Sequence, residues 1–175
     1  KEPPTAIIAP ISDSCGSAAI SPTATIDGCG SATSGLTYAW SFPGGLPATS
    51  NTAIPGTINY NTTGNYTVSL VVTSECGVST TATQTFAVNK TPKVTNTVLS
   101  QTLCSGTTST EVNLTSDIVG TTFTWTATAT PGITGFVPSG TTDAIPASII
   151  TTTNSSAGTV TYAVTPEIGP CLGIP

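Results

Sequence analysis

Residues 64–77 read GNYTVSLVVTSECG. Tyr66, Val68, Leu70 and Val72 alternate there with Thr67, Ser69, Val71 and Thr73. A period of two places each set on its own face of an extended strand. The pattern returns over residues 158–173, GTVTYAVTPEIGPCLG, where Val160, Tyr162 and Val164 form the apolar series. Both stretches open with glycine and close in a turn beside a cysteine. No segment shows a helical period, so an all-β chain is expected. Threonine occupies 39 of 175 positions, which favours strands and gives them a polar, uncharged face.

Shorter alternating runs predict the remaining strands. In the first half they cover residues 5–11, 18–26, 36–42, 57–61 and 81–89, with Pro22 marking a bulge or an edge. PGGLP, residues 43–47, reads as a turn, and KTPKV, residues 90–94, as a linker. The plan then restarts over residues 93–99, 110–118, 121–129, 147–153 and 159–165, with a glycine- and proline-rich connection at 131–140. Short strands at this spacing with turns between them predict a β-sandwich in each half. Trp40 and Trp125 fall on the third strand of each unit, where a large ring fills the space between two sheets. Tyr66, just after Gly64, is placed for a tyrosine corner, and Tyr162 lies on the inner series of the second unit. Trp40, Tyr66, Trp125 and Tyr162 are the expected core aromatics.

The two halves align as repeats: Cys15, Trp40, Gly64 and Cys76 correspond to Cys104, Trp125, Gly158 and Cys171. The expected domains are residues 1–91 and 92–175. The second reaches CLGIP where its last strand is due, so it is expected to be C-terminally incomplete, with an exposed edge and a chain that continues. The opening Lys1-Glu2-Pro3-Pro4 shows no signal peptide, and the segment is expected to be a mature or excised piece.

Charge removes several function classes. Charged residues are 6% of the chain, against about 25% in ordinary soluble domains. Three lysines, no arginine, no histidine and a net charge of −5 disfavour nucleic acid and anionic membranes, which need clustered cations. No apolar run approaches the roughly 18 residues of a spanning helix. Five cysteines without CxxC or histidine do not make a zinc site or an activated thiol, and predict disulfides in an oxidising compartment. The eight acids are Glu2, Asp13, Asp27, Glu75, Glu111, Asp117, Asp143 and Glu167, all near turns, strand ends or exposed faces. Asp27 and Glu75 could meet at one end of the first unit, as two facing carboxylates must in a glycosidase. They have no histidine, arginine or aromatic cleft beside them, and calcium wants about six oxygen ligands. No catalytic, cofactor-binding or metal-binding residue is therefore expected, and no cofactor.

YAWSFPGGLPATS, residues 38–50, followed by GNYTVSLVVTSECG, resembles a PKD domain, with its Trp-x-Phe turn and Gly-x-Tyr-x-Val strand. The acidic turn usual after Trp-x-Phe is Pro43-Gly44-Gly45 here, which offers calcium no carboxylate. TLCSGTTSTEVNLTS, TTFTWTATATPGITG and GTVTYAVTPEIGPCLG in the second half are similar to the PKD-like repeats of giant Bacteroidetes surface proteins, gliding-motility adhesins among them. The resemblance implies two tandem immunoglobulin-like β-sandwiches in a secreted or cell-surface multidomain protein, without catalytic residues. It also implies a disulfide geometry. In such a sandwich Cys29 and Cys76 lie in loops at one end and form the expected bridge within the first unit. Cys15, at the opposite end, would join Cys171, leaving Cys104 for a following domain. The alternative keeps Cys15–Cys76 and Cys104–Cys171 within units and leaves Cys29 free.

Two functional readings follow. One is a structural spacer in a long surface adhesin or filament, with neighbouring repeats of the same chain, surface polysaccharide or other surface proteins as partners. The other is a ligand- or carbohydrate-binding module attached to a secreted enzyme, which would display exposed aromatics. A third possibility is an array in which an open edge accepts a neighbour's strand.

Overall fold

The computed structural model describes residues 2–28 and 35–174. The chain divides into two compact units, Lys1–Lys90 and Thr91–Pro175. Every regular element among the described residues is a strand.

The first unit contains β1 (Thr5–Ile8), β2 (Ser14–Cys15), β3 (Ala18–Ile20), β4 (Ala24–Asp27), β5 (Thr37–Ser41), β6 (Thr49–Ser50), β7 (Ile58–Tyr60), β8 (Gly64–Ser74), β9 (Gly77–Val78) and β10 (Ala82–Asn89). One sheet has the order β2-β10-β8-β5-β6, with β9 also on β8. The pairs β1–β4 and β3–β7 form the facing layer. The run at residues 18–26 is therefore two strands. They break at Ser21-Pro22-Thr23, since Pro22 has no N–H for the ladder, and each half takes a different partner. Alternation along β8 buries Val68, Leu70 and Val72 completely. They meet Trp40, Phe42, Phe86 and Val88 from their own sheet and Ile8, Ile20, Ile58 and Tyr60 from across the sandwich.

The second unit contains β11 (Thr107–Thr108), β12 (Val112–Asn113), β13 (Thr122–Ala129), β14 (Ile133–Thr134), β15 (Ser139–Gly140), β16 (Ala144–Ile145), β17 (Ile149–Thr152), β18 (Val160–Ile168) and β19 (Cys171–Leu172). Its main sheet runs β15-β13-β18-β19, and β11-β17-β14 and β12-β16 supply the other layer. The core is thinner. Four apolar residues are buried in its cluster (Leu114, Phe123, Trp125 and Ile145), against twelve in that of the first unit.

Two expectations fail in this unit. Residues 90–94 are not a free linker: Pro92 is buried, Asp117 accepts the Lys93 N–H at 2.8 Å, and Val94 bridges Ser116. Residues 93–99 are not a regular first strand either. Its backbone pairing stops at Thr95, whose N–H donates to the Thr115 carbonyl at 2.8 Å, and side-chain amides take over from there. Asn96 donates to the Asn113 carbonyl at 2.7 Å and accepts from the Thr115 N–H at 2.9 Å. Gln101 donates to the Thr110 carbonyl and accepts from the Thr110 N–H, both at 2.9 Å. A carboxamide carries the same donor and acceptor as a peptide unit, so it can complete a sheet edge without a strand.

Candidate functional site

Cys15, Cys76 and Cys171 are disulfide-bonded, and Cys104 is a free, exposed thiol. Cys29 lies outside the described residues. The first unit excludes a Cys15–Cys76 bridge. Cys15 pairs with Asn89, beside the start of β8, because Val88 pairs with Gly64. Cys76 lies two residues beyond the far end of β8. Eleven extended residues span roughly 35 Å, whereas a disulfide needs Cα atoms within about 7 Å. The free Cys104 excludes Cys104–Cys171 in the same way. Gly28 and Gly77, the sequence neighbours of Cys29 and Cys76, both lie against Pro3.

Each tryptophan closes its sandwich alike. Trp40 is buried and donates its indole N–H to the Thr52 carbonyl at 3.1 Å; Trp125 is buried and donates to the Thr142 carbonyl at 3.3 Å. Tyr66 is half-buried and forms a tyrosine corner. Its hydroxyl donates to the Thr62 carbonyl at 2.8 Å and receives a bond from the Thr62 hydroxyl at 2.7 Å. Tyr162 is half-buried, its ring edge-on to Trp125 at 5.7 Å. Burial raises its hydroxyl pKa above the usual tyrosine value, against the lowering effect of a hydrogen bond to the Val137 backbone. Tyr60 is a core aromatic that the sequence reading missed. It is fully buried 4.4 Å from the Tyr66 ring and 5.0 Å from Phe86, and its hydroxyl has no hydrogen-bond partner. Its short segment, TINYN, carries too little periodicity to identify it.

Three of the eight carboxylates bind backbone N–H groups. Asp13 accepts the Ala87 N–H at 2.7 Å, Asp27 accepts the Gly28 N–H at 2.7 Å, and Asp117 holds Lys93. Among the described residues no three potential metal ligands cluster, and no helix is long and apolar enough to cross a membrane. Every aromatic side chain is buried or half-buried, including Phe136 in the 131–140 connection.

One concavity stands out. A cleft of about 570 Å³ opens in the second unit between β18, β17 and the irregular segment 98–105. Val160, Tyr162, Val164, Ile150, Val98 and Leu103 supply its apolar wall, and no charged side chain lines it. In the first unit β8 carries β5 on one edge and β10 on the other. In the second unit β18 carries β13 on one edge, but only the two residues of β19 on the other.

Tandem β-sandwiches with a tryptophan across each core, the first closed by a tyrosine corner, define a class of immunoglobulin-like modules. The chain belongs to the PKD family: a PKD domain family model matches residues 2–90 and a PKD-like domain model matches residues 101–175. PKD domains are commonly non-enzymatic and typically extracellular, and the disulfide-bonded cysteines agree with that setting. None of the curated proteins compared with the chain matches it. Among solved structures, murine CEACAM1b is similar at 16% identity and a TM-score of 0.32, over 94% of this chain and 92% of that one.

Proposed function

We propose that this segment is a structural spacer in a long secreted or cell-surface adhesin or filament, serving surface adhesion or gliding motility at a bacterial cell surface. The observation that carries the reading is that no described aromatic ring is exposed: each is buried or half-buried. A sugar-binding module stacks its ligand on exposed rings, and these sheets present threonine instead. The runner-up, a ligand-binding accessory module of a secreted enzyme, draws its support from the cleft of the second unit.

The covalent scheme expected from the sequence, Cys29–Cys76 with Cys15–Cys171, belongs to the proposal. It is supported by the exclusion of Cys15–Cys76 and by the shared position of Gly28 and Gly77 against Pro3. Single-molecule pulling tests both parts. A chain stapled from Cys15 to Cys171 lengthens little under force, and reduction releases on the order of 500 Å of chain. Full-length unfolding steps without reductant would sink the stapled scheme. Micromolar binding to an immobilised polysaccharide array would sink the spacer reading.

A further inference from the structure

We propose that the docking of β2 on β10 sorts the pairing of Cys15 during oxidation, with the Asp13 carboxylate as the positioning residue that latches it. The inference rests on the disulfide scheme of the proposed function, in which Cys15 takes a partner outside the first unit. The chemical step is thiol–disulfide exchange. Two cysteine thiols give up two protons and two electrons to a small disulfide oxidant, which leaves as two thiols.

Chain length alone would send Cys15 elsewhere. Cys29 lies 14 positions downstream of it and Cys171 lies 156. Loop closure in an unfolded chain therefore favours Cys15–Cys29 over Cys15–Cys171 by about 40-fold, the three-halves power of that ratio. The folded first unit reverses the preference. Cys15 pairs with Asn89 at the end of β8 where Val88 meets Gly64. Gly77 pairs with Ser74 at the other end of β8, and Gly28, the sequence neighbour of Cys29, lies against Pro3 as Gly77 does. The eleven residues of β8 hold these two ends roughly 35 Å apart, beyond the reach of a disulfide.

A short attachment keeps Cys15 at its own end. β2 is two residues long and pairs parallel with β10, the last strand of the unit in chain order. On the C-terminal side of Cys15 the Gly16 N–H donates to the Asn89 carbonyl at 2.8 Å. On the N-terminal side the Ala87 N–H donates to the Asp13 carboxylate at 2.7 Å, across 74 positions of sequence. A carboxylate accepts such a bond more strongly than a neutral oxygen does. Asp13 thus adds a rung to a two-residue ladder without adding a strand, and Cys15 is gripped from both sides. Both grips need β10 in place on β8. Before β10 docks, Cys15 is loose and reaches Cys29; afterwards it is committed to a partner outside the unit.

The test is oxidative refolding of the reduced 175-residue chain in a glutathione buffer, quenched with acid and read by peptide mapping and amide exchange. In the wild type Cys15–Cys29 should rise early and vanish as the Ala87 amide becomes protected. Asp13→Ala should raise the final ratio of Cys15–Cys29 to the native Cys15 bridge at least fivefold, with the Val68 and Leu70 amides still protected. Asp13→Asn keeps an acceptor oxygen for the Ala87 N–H and should stay within twofold of the wild-type ratio. An unchanged ratio in Asp13→Ala overturns the proposal. So does a rise that comes with loss of Val68 and Leu70 protection, or an equal rise in Asp13→Asn. A native chain in which Cys15 is joined to Cys29 overturns both the latch and the pairing scheme. A native bridge from Cys15 to any cysteine other than Cys29 or Cys171 overturns the scheme alone, and the ratio still decides the latch.

Discussion

Tyr60 and Tyr66 touch, yet removing the same oxygen atom from each should change stability in opposite directions. The Tyr66 hydroxyl makes two hydrogen bonds to Thr62 at a partly exposed site. Tyr66→Phe forfeits both and should cost about 1–2 kcal/mol, since each such bond contributes roughly 0.5–1.5 kcal/mol net. The Tyr60 hydroxyl is buried without a partner. Its desolvation opposes folding by about 1–3 kcal/mol, offset in part by the packing contacts of the oxygen. Tyr60→Phe should therefore stabilise the first unit by about 1 kcal/mol, with residue 60 still edge-on to Phe86 and Tyr66 still stacked on it. For a unit of this size each kcal/mol moves the melting midpoint by roughly 4–8 °C. Urea titration followed through the methyl resonances of Val68 and Leu70 reads the first unit alone. If Tyr60→Phe destabilises as much as Tyr66→Phe, the buried hydroxyl is not an uncompensated polar group and the reasoning fails.

Burial, followed by the neighbouring Tyr66, raises the pKa of Tyr60 above 10.0, so the neutral form is the one that folding favours. That stability is intact below pH 10 and is lost as pH climbs through the raised folded value. Alkaline titration of Tyr60→Phe should show a shallower loss than wild type, and an unchanged alkaline limb would count against it. Gln101→Leu leaves the N–H and C=O of Thr110 without their amide partner and should cost about 1–2 kcal/mol, with faster amide exchange at Thr110 as the local signature. Gly140 lies opposite Trp125, whose ring covers the place a Cβ would take. Gly140→Ala should destabilise the second unit by about 2–3 kcal/mol through overpacking, measured by urea titration on Trp125 emission.

The sequence made the long strands legible because their period is unbroken. β8, β10, β13 and β18 all follow from alternation, and the two tryptophans mark equivalent third strands. The tyrosine corner followed from the position of Tyr66 after Gly64. What stayed hidden was structure carried by single residues rather than by a period. Tyr60 lies on a three-residue strand, where one alternation cannot be told from chance. Pro92 looked like linker because the Asp117 carboxylate that holds its neighbour is distant in sequence. The cleft of the second unit was hidden for the same reason: its walls, β18, β17 and segment 98–105, are distant in sequence, and no one of them announces it alone.

The amide clamps do for the second unit what a backbone ladder does in the first. In the first unit the residues before Cys15 lead into β2, which finds β10 to pair with. In the second unit the equivalent Leu103 and Cys104 have no such neighbour among the described residues, so their stretch cannot satisfy its backbone by a ladder on that side. Asn96 and Gln101 tie the segment to the opposite layer instead, through two side chains rather than through a row of peptide groups. This leaves Val98, Leu99 and Leu103 exposed, which costs roughly 25 cal/mol for each Å² of apolar surface kept in water.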